Sequence, residues 1–163
     1  MRNYGRSPSD GSKNIYLSGN LRGDEIQAAF LAEKLPDLDI ISRKRRDLID
    51  LYSSLLYPVK EHIVLITYQD ESAPHLAIAV LSNASCRQNL INYMNIKGIQ
   101  IGIHYKEPCH SQPCVDTDCL FIDDVGMSQA SDIASRIISL AISECHTFKE
   151  IEYVASALCS YFA

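Results

Sequence analysis

Residues 62–81, HIVLITYQDESAPHLAIAVL, contain two short apolar runs separated by a polar, turn-like segment. The runs HIVLITY (62–68) and HLAIAVL (75–81) are rich in aliphatic residues, and the intervening QDESAP contains turn-forming residues. Short runs of this composition between turn signals are typical of β-strands. Because both runs are almost continuously apolar, we expect at least one face of their sheet to be covered.

Helical patterns precede these strands. Asp24 and Gln27 have the spacing of a capping box and open an apolar helical run that Pro36 interrupts. A second helix is then predicted, because apolar residues recur at helical spacing. These residues are Leu38, Ile41, Leu48, Tyr52 and Leu55.

A third helix and a further strand are predicted after residue 81. Ser85 and Gln88 have capping-box spacing and open a helix that is expected to end at Gly98. The apolar run IQIGI (99–103) predicts a strand, and residues 104–125 are expected to form a loop.

Two helices are predicted at the C-terminal end. One starts at Ser128 and runs towards Ile138, and the other is opened by the capping box of Thr147 and Glu150. Apolar residues of the last helix fall on one stripe, namely Ile151, Val154, Ala155, Leu158 and Phe162. With no internal repeat, these elements predict an α/β or α+β domain in which a small sheet is packed with helices.

Composition limits the classes of function. The chain has 163 residues, of which 47% are hydrophobic and 21% charged, so it is long enough to bury one core. Its net charge of -5 disfavours a nucleic-acid partner, since phosphate binding needs a basic surface. No apolar run approaches the roughly 20 residues that span a bilayer. The first segment, MRNYGRSPSDGSKN, lacks the apolar stretch of a signal peptide, so we expect a cytoplasmic protein without a membrane partner.

The basic run RKRR, residues 43–46, lies on the second predicted helix. Acidic residues flank it on both sides, and no aromatic residue interrupts it. Nucleic-acid-binding surfaces combine such a run with further basic or aromatic residues nearby. We therefore interpret this run as a solvated helix face.

A cluster of soft metal ligands occurs in the predicted loop. It consists of Cys109, His110, Cys114 and Cys119. Structural zinc sites usually pair their ligands as C-x₂₋₄-C, whereas this spacing is C-x₄-C-x₄-C. A metal-binding module is thus the less favoured interpretation, and the six cysteines are expected to be free thiols.

Four segments occur in an order that resembles a known family. They are RNYG (2–5), GNLRGDEIQAAF (19–30), GIHYKEPCHSQP (102–113) and SRIISLAI (135–142). Together they resemble the C-terminal part of the DegT-type nucleotide-sugar aminotransferases, which are pyridoxal phosphate enzymes of the fold type I, aspartate-aminotransferase class. Cys109 occupies a variable position between the matching residues of the third segment, which weakens the metal interpretation further.

The resemblance implies a domain organisation. Residues 1–23 match an arm or loop, residues 24–56 match the connecting helices, and residues 57–163 match the small C-terminal domain. The family's large domain, with the lysine that forms a Schiff base with pyridoxal phosphate, has no counterpart in this sequence. The implied activity is amino transfer to a nucleotide-linked keto sugar. We expect the chain alone to be inactive and to need a large cofactor-binding domain or a homodimer partner.

The resemblance also implies individual site residues. Asn20 matches an asparagine that reaches the cofactor phosphate of the neighbouring subunit. Its position before a helix start suits an anion, because free backbone N–H groups lie there. His104, Tyr105 and His110 match positions near the substrate entrance. Arg22 matches the arginine that accompanies the asparagine and is expected to bind substrate, and no residue is assigned as a catalytic group or metal ligand.

A non-enzymatic interaction module is the alternative to an enzyme fragment. It predicts an exposed apolar patch on the helices of residues 24–56 and association that depends on concentration.

Overall fold

The computed structural model of the protein describes residues 23–68, 72–104, 106, 108, 110 and 124–163. Within these ranges the helices are α1 (Glu25–Lys34), α2 (Leu38–Leu55), α3 (Arg87–Ile96), α4 (Asp124–Arg136) and α5 (Phe148–Phe162). The strands are β1 (Ile63–Leu65), β2 (Ala77–Leu81) and β3 (Ile137–Leu140). No helix in the described ranges has both the length and the apolar character needed to cross a membrane.

The three strands form an antiparallel sheet in the order β1-β2-β3. Ile63 pairs with Leu81, and Ala79 pairs with Leu65 on one side and with Ile138 on the other. Because side chains alternate along a strand, these residues share one face of the sheet, and all of them are buried. The predicted α+β class, a small sheet packed with helices, is confirmed.

The chain divides into two compact units, residues 1–39 and residues 40–163, and α2 crosses the boundary. In the described part of the first unit, Asp24 caps α1 by accepting a hydrogen bond of 2.9 Å from the backbone N–H of Ile26. The predicted helix start is therefore correct. No residue of α1 is buried.

The buried apolar residues described in the second unit form one hydrophobic core. Helix α2 contributes Leu48, Ile49 and Tyr52, and α5 contributes residues of the predicted stripe. The remaining buried members include Leu90, Met94, Ile99, Ile101, Ile151, Val154, Ala155 and Leu158, together with the inward residues of the sheet. The capping box that opens α5 is present as predicted, with Thr147 and Glu150 bonding each other's backbone N–H groups.

The start of α3 differs from the sequence prediction. A short 3₁₀ turn, Ala84–Cys86, leads into the helix, and its cap is Asn83. The Asn83 side chain accepts a hydrogen bond of 2.9 Å from the N–H of Ser85, so Ser85 itself is not the cap. The predicted end is correct, because Gly98 has a φ of 74°, a conformation that favours glycine.

The predicted helix from Ser128 towards Ile138 is wrong at both ends, because α4 already begins at Asp124 and does not reach Ile137. Helix α4 stops at Arg136, and Ile137–Leu140 form the edge strand β3. The physical reason is that pairing with β2 satisfies the backbone of this segment, while its two isoleucines favour a pleated conformation.

The predicted strand at 99–103 is also wrong as a regular strand. Ile99 and Ile101 are buried, as an apolar run should be, but only Gly102 pairs with the sheet. Gly102 and Ser139 exchange two backbone hydrogen bonds, of 3.0 Å and 2.8 Å. This single bridge attaches the segment to the outer edge of β3.

The basic run on α2 is only partly a solvated face. Arg43 is exposed, as expected. Arg45 instead binds the carboxylate of Glu144, and Arg46 donates a 2.6 Å hydrogen bond to the carbonyl of Ser72. Both guanidinium groups therefore attach α2 to other segments of the second unit.

Candidate functional site

A half-open cavity of about 700 Å³ lies between the segment after α3 and the start of α5. Its apolar wall includes Ile99, Ile142 and Val154. Polar side chains that also line it are Gln100, His104, His146, Lys149, Glu150 and Tyr153. Apolar walls with a few convergent polar groups are the usual composition of a small-molecule site.

His104 is exposed at this cavity, and a hydrogen bond connects its ring to the sheet. Its Nδ1 atom lies 2.8 Å from the Oγ atom of Ser139 on β3. The ring lies against Gly102, where a Cβ atom would come within 3.2 Å of the ring's Cε1 atom. Because the backbones of Gly102 and Ser139 are themselves hydrogen-bonded, the sheet edge determines where the imidazole sits.

His146 and Lys149 provide the other groups that can carry a positive charge. The Nδ1 atom of His146 is buried and has no hydrogen-bond partner within the described ranges. Lys149 is exposed on the first turn of α5. Such a buried ring nitrogen is costly unless a ligand or solvent pairs with it.

Glu150 is the acidic group at the cavity, and its carboxylate is already engaged. It accepts hydrogen bonds from the backbone N–H of Thr147, at 2.7 Å, and from the Thr147 hydroxyl, at 2.8 Å. These bonds lower the pKa of Glu150 below its ordinary value. Its charge therefore serves the helix cap, and the Tyr153 hydroxyl is likewise engaged, because it donates to the carbonyl of Lys97. Of the other described polar groups at the cavity, Lys149 can only donate, whereas Gln100 and the two histidines can donate or accept.

The structure places the described site residues that were predicted from sequence at different positions. His104 lines the cavity. His110 lies elsewhere, with its Nε2 atom 3.0 Å from the Oγ atom of Ser131 on α4. Asn20, Arg22 and Tyr105 fall outside the described residues.

The metal interpretation gains no support from the structure. Across the described ranges, no group of three or more His, Cys, Asp or Glu side chains is arranged to hold a metal ion. Of the suspected ligands, Cys109, Cys114 and Cys119 lie outside those ranges.

Five polar residues at or near the cavity were given no role in the sequence analysis, namely Gln100, Ser139, His146, Lys149 and Tyr153. Ser139 lies within the segment SRIISLAI, which supplied a motif but whose first residues, up to Ile138, were assigned to a helix. Correct assignment of that segment as a strand would have been needed to place Ser139 opposite Gly102.

The described lysines do not form a pyridoxal phosphate site. Lys44 is half-buried, and the others, Lys34, Lys60, Lys97, Lys106 and Lys149, are exposed. A lysine that forms a Schiff base needs a neutral amine, which desolvation favours and exposure to water does not. The described part of the chain does not by itself fit this cofactor.

The sequence profile of the DegT/DnrJ/EryC1/StrS aminotransferase family matches residues 1–159. The chain therefore belongs to this family. It is 28% identical over 161 residues to the dTDP-3-amino-3,6-dideoxy-α-D-galactopyranose transaminase of Aneurinibacillus thermoaerophilus, covering 99% of this chain and 42% of the relative. It is also 26% identical over 156 residues to the pleiotropic regulatory protein of Geobacillus stearothermophilus, covering 93% of this chain and 41% of that relative.

Solved structures agree with the fold. The DegT DnrJ EryC1 StrS aminotransferase of Brucella abortus superposes with a TM-score of 0.76 at 22% identity, covering 100% of this chain and 41% of that one. DesV of S. venezuelae, crystallised with a ketimine intermediate, superposes with a TM-score of 0.74 at 26% identity, covering 98% and 42%. The chain thus spans about 42% of the length of the relatives it matches.

Proposed function

We propose that the chain forms the C-terminal part of a pyridoxal-phosphate-dependent aminotransferase that acts on a nucleotide-linked keto sugar. The observation that carries this proposal is the position of His104. This residue belongs to the family-like segment GIHYKEPCHSQP, and it lines a cavity that also contains Lys149, which can only donate hydrogen bonds, and Gln100, whose amide can donate them. Such a cavity suits a ligand rich in oxygen acceptors, as a nucleotide sugar is.

The proposed role of the chain is to bind substrate and to complete the cofactor site. His104, Tyr105, His110 and Arg22 are proposed as substrate contacts. His110 would make its contact from beside Ser131 on α4, outside the cavity that His104 lines. Asn20 is proposed to bind the cofactor phosphate of a neighbouring subunit. The cofactor, when bound, would supply the electron sink for amino transfer. Since the described lysines are not suited to Schiff-base formation, that lysine is proposed to come from a large domain, in the same or a partner chain.

An apolar surface on α1 supports the need for such a domain. Ile26, Phe30, Leu31 and Leu35 are between 61% and 81% exposed. The first three of them, with Gln27, line a shallow groove of about 400 Å³. An apolar helix face of this kind usually marks an interface. We propose that the large domain covers it.

An exchange of segments tests the proposed function. The matched C-terminal segment of the Aneurinibacillus thermoaerophilus transaminase is replaced by this chain, and amino transfer to its keto-sugar substrate is measured. Activity above that of the truncated relative is the expected result. The control reinserts the relative's own segment by the same cloning route. A folded, cofactor-loaded exchange protein that shows no activity, beside an active control, would contradict the proposal.

The isolated chain provides a complementary test. Mixed with pyridoxal phosphate, it is expected to develop no absorbance band of a lysine-linked cofactor. Borohydride trapping followed by peptide mapping identifies any lysine that reacts. Stoichiometric labelling of Lys149, which lines the cavity, would overturn the proposal that the lysine comes from elsewhere.

The α1 surface also favours a second candidate, a non-enzymatic interaction module. In that case the chain would associate with itself or a partner and would not restore activity in the exchange protein. Sedimentation of the isolated chain over a range of concentrations measures self-association. A monomer at every concentration, together with activity in the exchange protein, would exclude this candidate.

A further inference from the structure

The direction of the hydrogen bond between Ser139 and His104 follows from burial. Ser139 is 6% exposed, and within the described ranges the Nδ1 atom of His104 is the partner of its Oγ atom. A serine hydroxyl carries one proton to donate and two lone pairs. If the His104 ring donated instead, the buried O–H would have no described acceptor, which is the more costly arrangement. The hydroxyl of Ser139 therefore donates to Nδ1.

This direction determines the form of the imidazole. A neutral ring that accepts at Nδ1 carries its proton on Nε2. Nε2 is then a hydrogen-bond donor and has no lone pair with which to take up a proton. Because Nδ1 is engaged by Ser139, Nε2 is the ring nitrogen left for a ligand in the cavity that His104 lines.

The sheet edge keeps the two residues in register. Gly102 donates to the carbonyl of Ser139 and accepts from its N–H, so the hydroxyl of Ser139 stays beside the segment that carries His104. The ring fits here because Gly102 has no side chain, since a Cβ atom would lie 3.2 Å from Cε1 and 3.5 Å from Nδ1 of His104. The backbone pairing of Gly102 with Ser139 therefore supports the side-chain hydrogen bond between Ser139 and His104.

We propose that Ser139 is a positioning residue that holds His104 in the Nε2-protonated form, so that His104 donates a hydrogen bond to an anionic oxygen of the ligand and does not act as a base. Lys149 lines the same cavity and favours the same ligand class, a phosphate-bearing molecule. This inference rests on the proposed function, because it specifies how His104 contacts the substrate.

The form of His104 is measured on the full 163-residue chain labelled with ¹⁵N in its histidines. Long-range ¹H–¹⁵N spectra at alkaline pH, where imidazole is neutral, report which ring nitrogen carries the proton. We expect the proton on Nε2 and an Nδ1 signal typical of an acceptor. H104N removes the signals and so assigns them. A proton on Nδ1 in the wild-type chain would overturn the proposal without any Ser139 variant.

Variants of Ser139 then distinguish a role of its hydroxyl in holding His104 from a role of its side chain in packing alone. S139A is expected to move the Nδ1 signal of His104, and S139T, which keeps a hydroxyl, to restore it. The matched control is S160A, since the exposed Ser160 donates its hydroxyl to the carbonyl of Ser156 on its own helix. Unchanged His104 signals in a folded S139A chain would contradict the proposal.

The same substitutions in the segment-exchange enzyme test the link to substrate. We expect S139A to raise KM by about five- to tenfold, with a smaller effect on kcat, and S139T to recover most of the loss. An equal KM in S139A and wild type would count against the proposal. An exchange enzyme that is inactive with Ser139 intact would count against the proposed function alone, because the ring signals of the full chain still decide the role of Ser139.

Discussion

Arg45 on α2 and Glu144, 99 positions later in the chain, form an ion pair with the Nη2 atom 2.7 Å from the Oε2 atom. The same guanidinium donates to the carbonyls of Pro74 and His75, at 3.4 Å and 3.3 Å. One side chain therefore connects α2, the segment before β2 and the turn before α5.

Substitution of Arg45 tests this connection. We expect R45A to lower the free energy of unfolding by about 1–2 kcal/mol, because several acceptors lose a charged donor at a partly exposed site. R43A is the matched control on the same helix, since Arg43 is exposed, and its effect should stay within about 0.5 kcal/mol. Urea unfolding measures both. Equal effects of the two variants would contradict the structural role of Arg45.

Tyr52 should make stability depend on alkaline pH. Its side chain is buried, its hydroxyl donates to the carbonyl of Ala141 at 3.0 Å, and burial raises its pKa well above the ordinary value. Because the pKa is raised in the folded state, the stabilisation is complete below about pH 10 and is lost as the pH rises above it. We expect Y52F to cost about 1 kcal/mol at neutral pH and to show a shallower alkaline decline.

The control for this prediction is Y57F, because Tyr57 is 65% exposed. Free energies of unfolding measured between neutral and strongly alkaline pH should be parallel for Y57F and wild type. Burial also raises the pKa of Tyr68 and Tyr161, so Y52F should keep part of the decline. Identical pH dependence in Y52F and wild type would show that Tyr52 is not the group responsible.

The cap of α5 should make stability depend on acidic pH. Hydrogen bonds from Thr147 lower the pKa of Glu150, so this stabilisation is present above the ordinary carboxylate range and is lost as the pH falls through the lowered pKa. We expect T147A to destabilise the chain by about 0.5–2 kcal/mol near neutral pH. The difference from wild type should shrink in acid, where Glu150 becomes protonated.

T147S is the control for the cap, because serine keeps the hydroxyl that Glu150 accepts from. Its unfolding curve should resemble that of the wild type at each pH. If T147A and wild type differed by the same amount from neutral to acidic pH, the charge of Glu150 would not contribute to the cap.

Gly98 should tolerate alanine poorly for a purely conformational reason. A Cβ atom at this position would meet nothing within 4 Å, yet its φ is +74°. We expect G98A to lower the free energy of unfolding by about 1–2 kcal/mol and G98N to be milder. G23A is the control, since a Cβ atom at Gly23 also meets nothing within 4 Å and its φ is ordinary. A thermal melt in which G98A and G23A behave alike would be contrary to this expectation.

The apolar surface of α1 should contribute to association and little to folding. Phe30 is 61% exposed, so F30E is expected to change the free energy of unfolding by less than about 0.5 kcal/mol. A glutamate at this position also precedes Lys34 by four residues, a pair that supports a helix. In the segment-exchange enzyme, however, F30E should reduce activity because it places a charge against the covering domain.

The control for α1 is I96E, because Ile96 is 84% exposed and lies on α3. Activity of the exchange enzyme should be close to normal in this variant. An F30E enzyme as active as I96E would show that the α1 surface is not covered in the complete enzyme.

Local signals explain why much of the fold was predictable from sequence. The two apolar runs gave β1 and β2, and the capping box of Thr147 and Glu150 gave the start of α5. Each of these signals lies within a few residues of the element it specifies. Strand β3 has no such signal, because Ile137 follows a helical pattern without an intervening glycine or proline.

Of the described residues at the cavity, the sequence predicted the one that belongs to a family-like motif. His104 belongs to the segment that resembles the family, and the structure places it at the cavity. Its partner Ser139 is 35 positions away and faces it only because Gly102 pairs with β3 at this register. The pairing register depends on all the strands of the sheet, so it cannot be predicted from one short segment of sequence. Asn20, Arg22 and Tyr105 remain predictions.

Helix α4 ends at Arg136 and β3 begins at Ile137, without a connecting residue. Arg136 pairs with Asp132 one turn earlier and donates to the carbonyl of Leu81 at the end of β2. An inserted residue would rotate the helix by about 100° or turn each strand side chain to the opposite face, Ser139 included. The direct junction of Arg136 and Ile137 therefore fixes which residues of α4 and which residues of β3 face the core, since side chains repeat every 3.6 residues along the helix and every 2 along the strand. A change of chain length at this junction should therefore disrupt the packing of α4 or of β3.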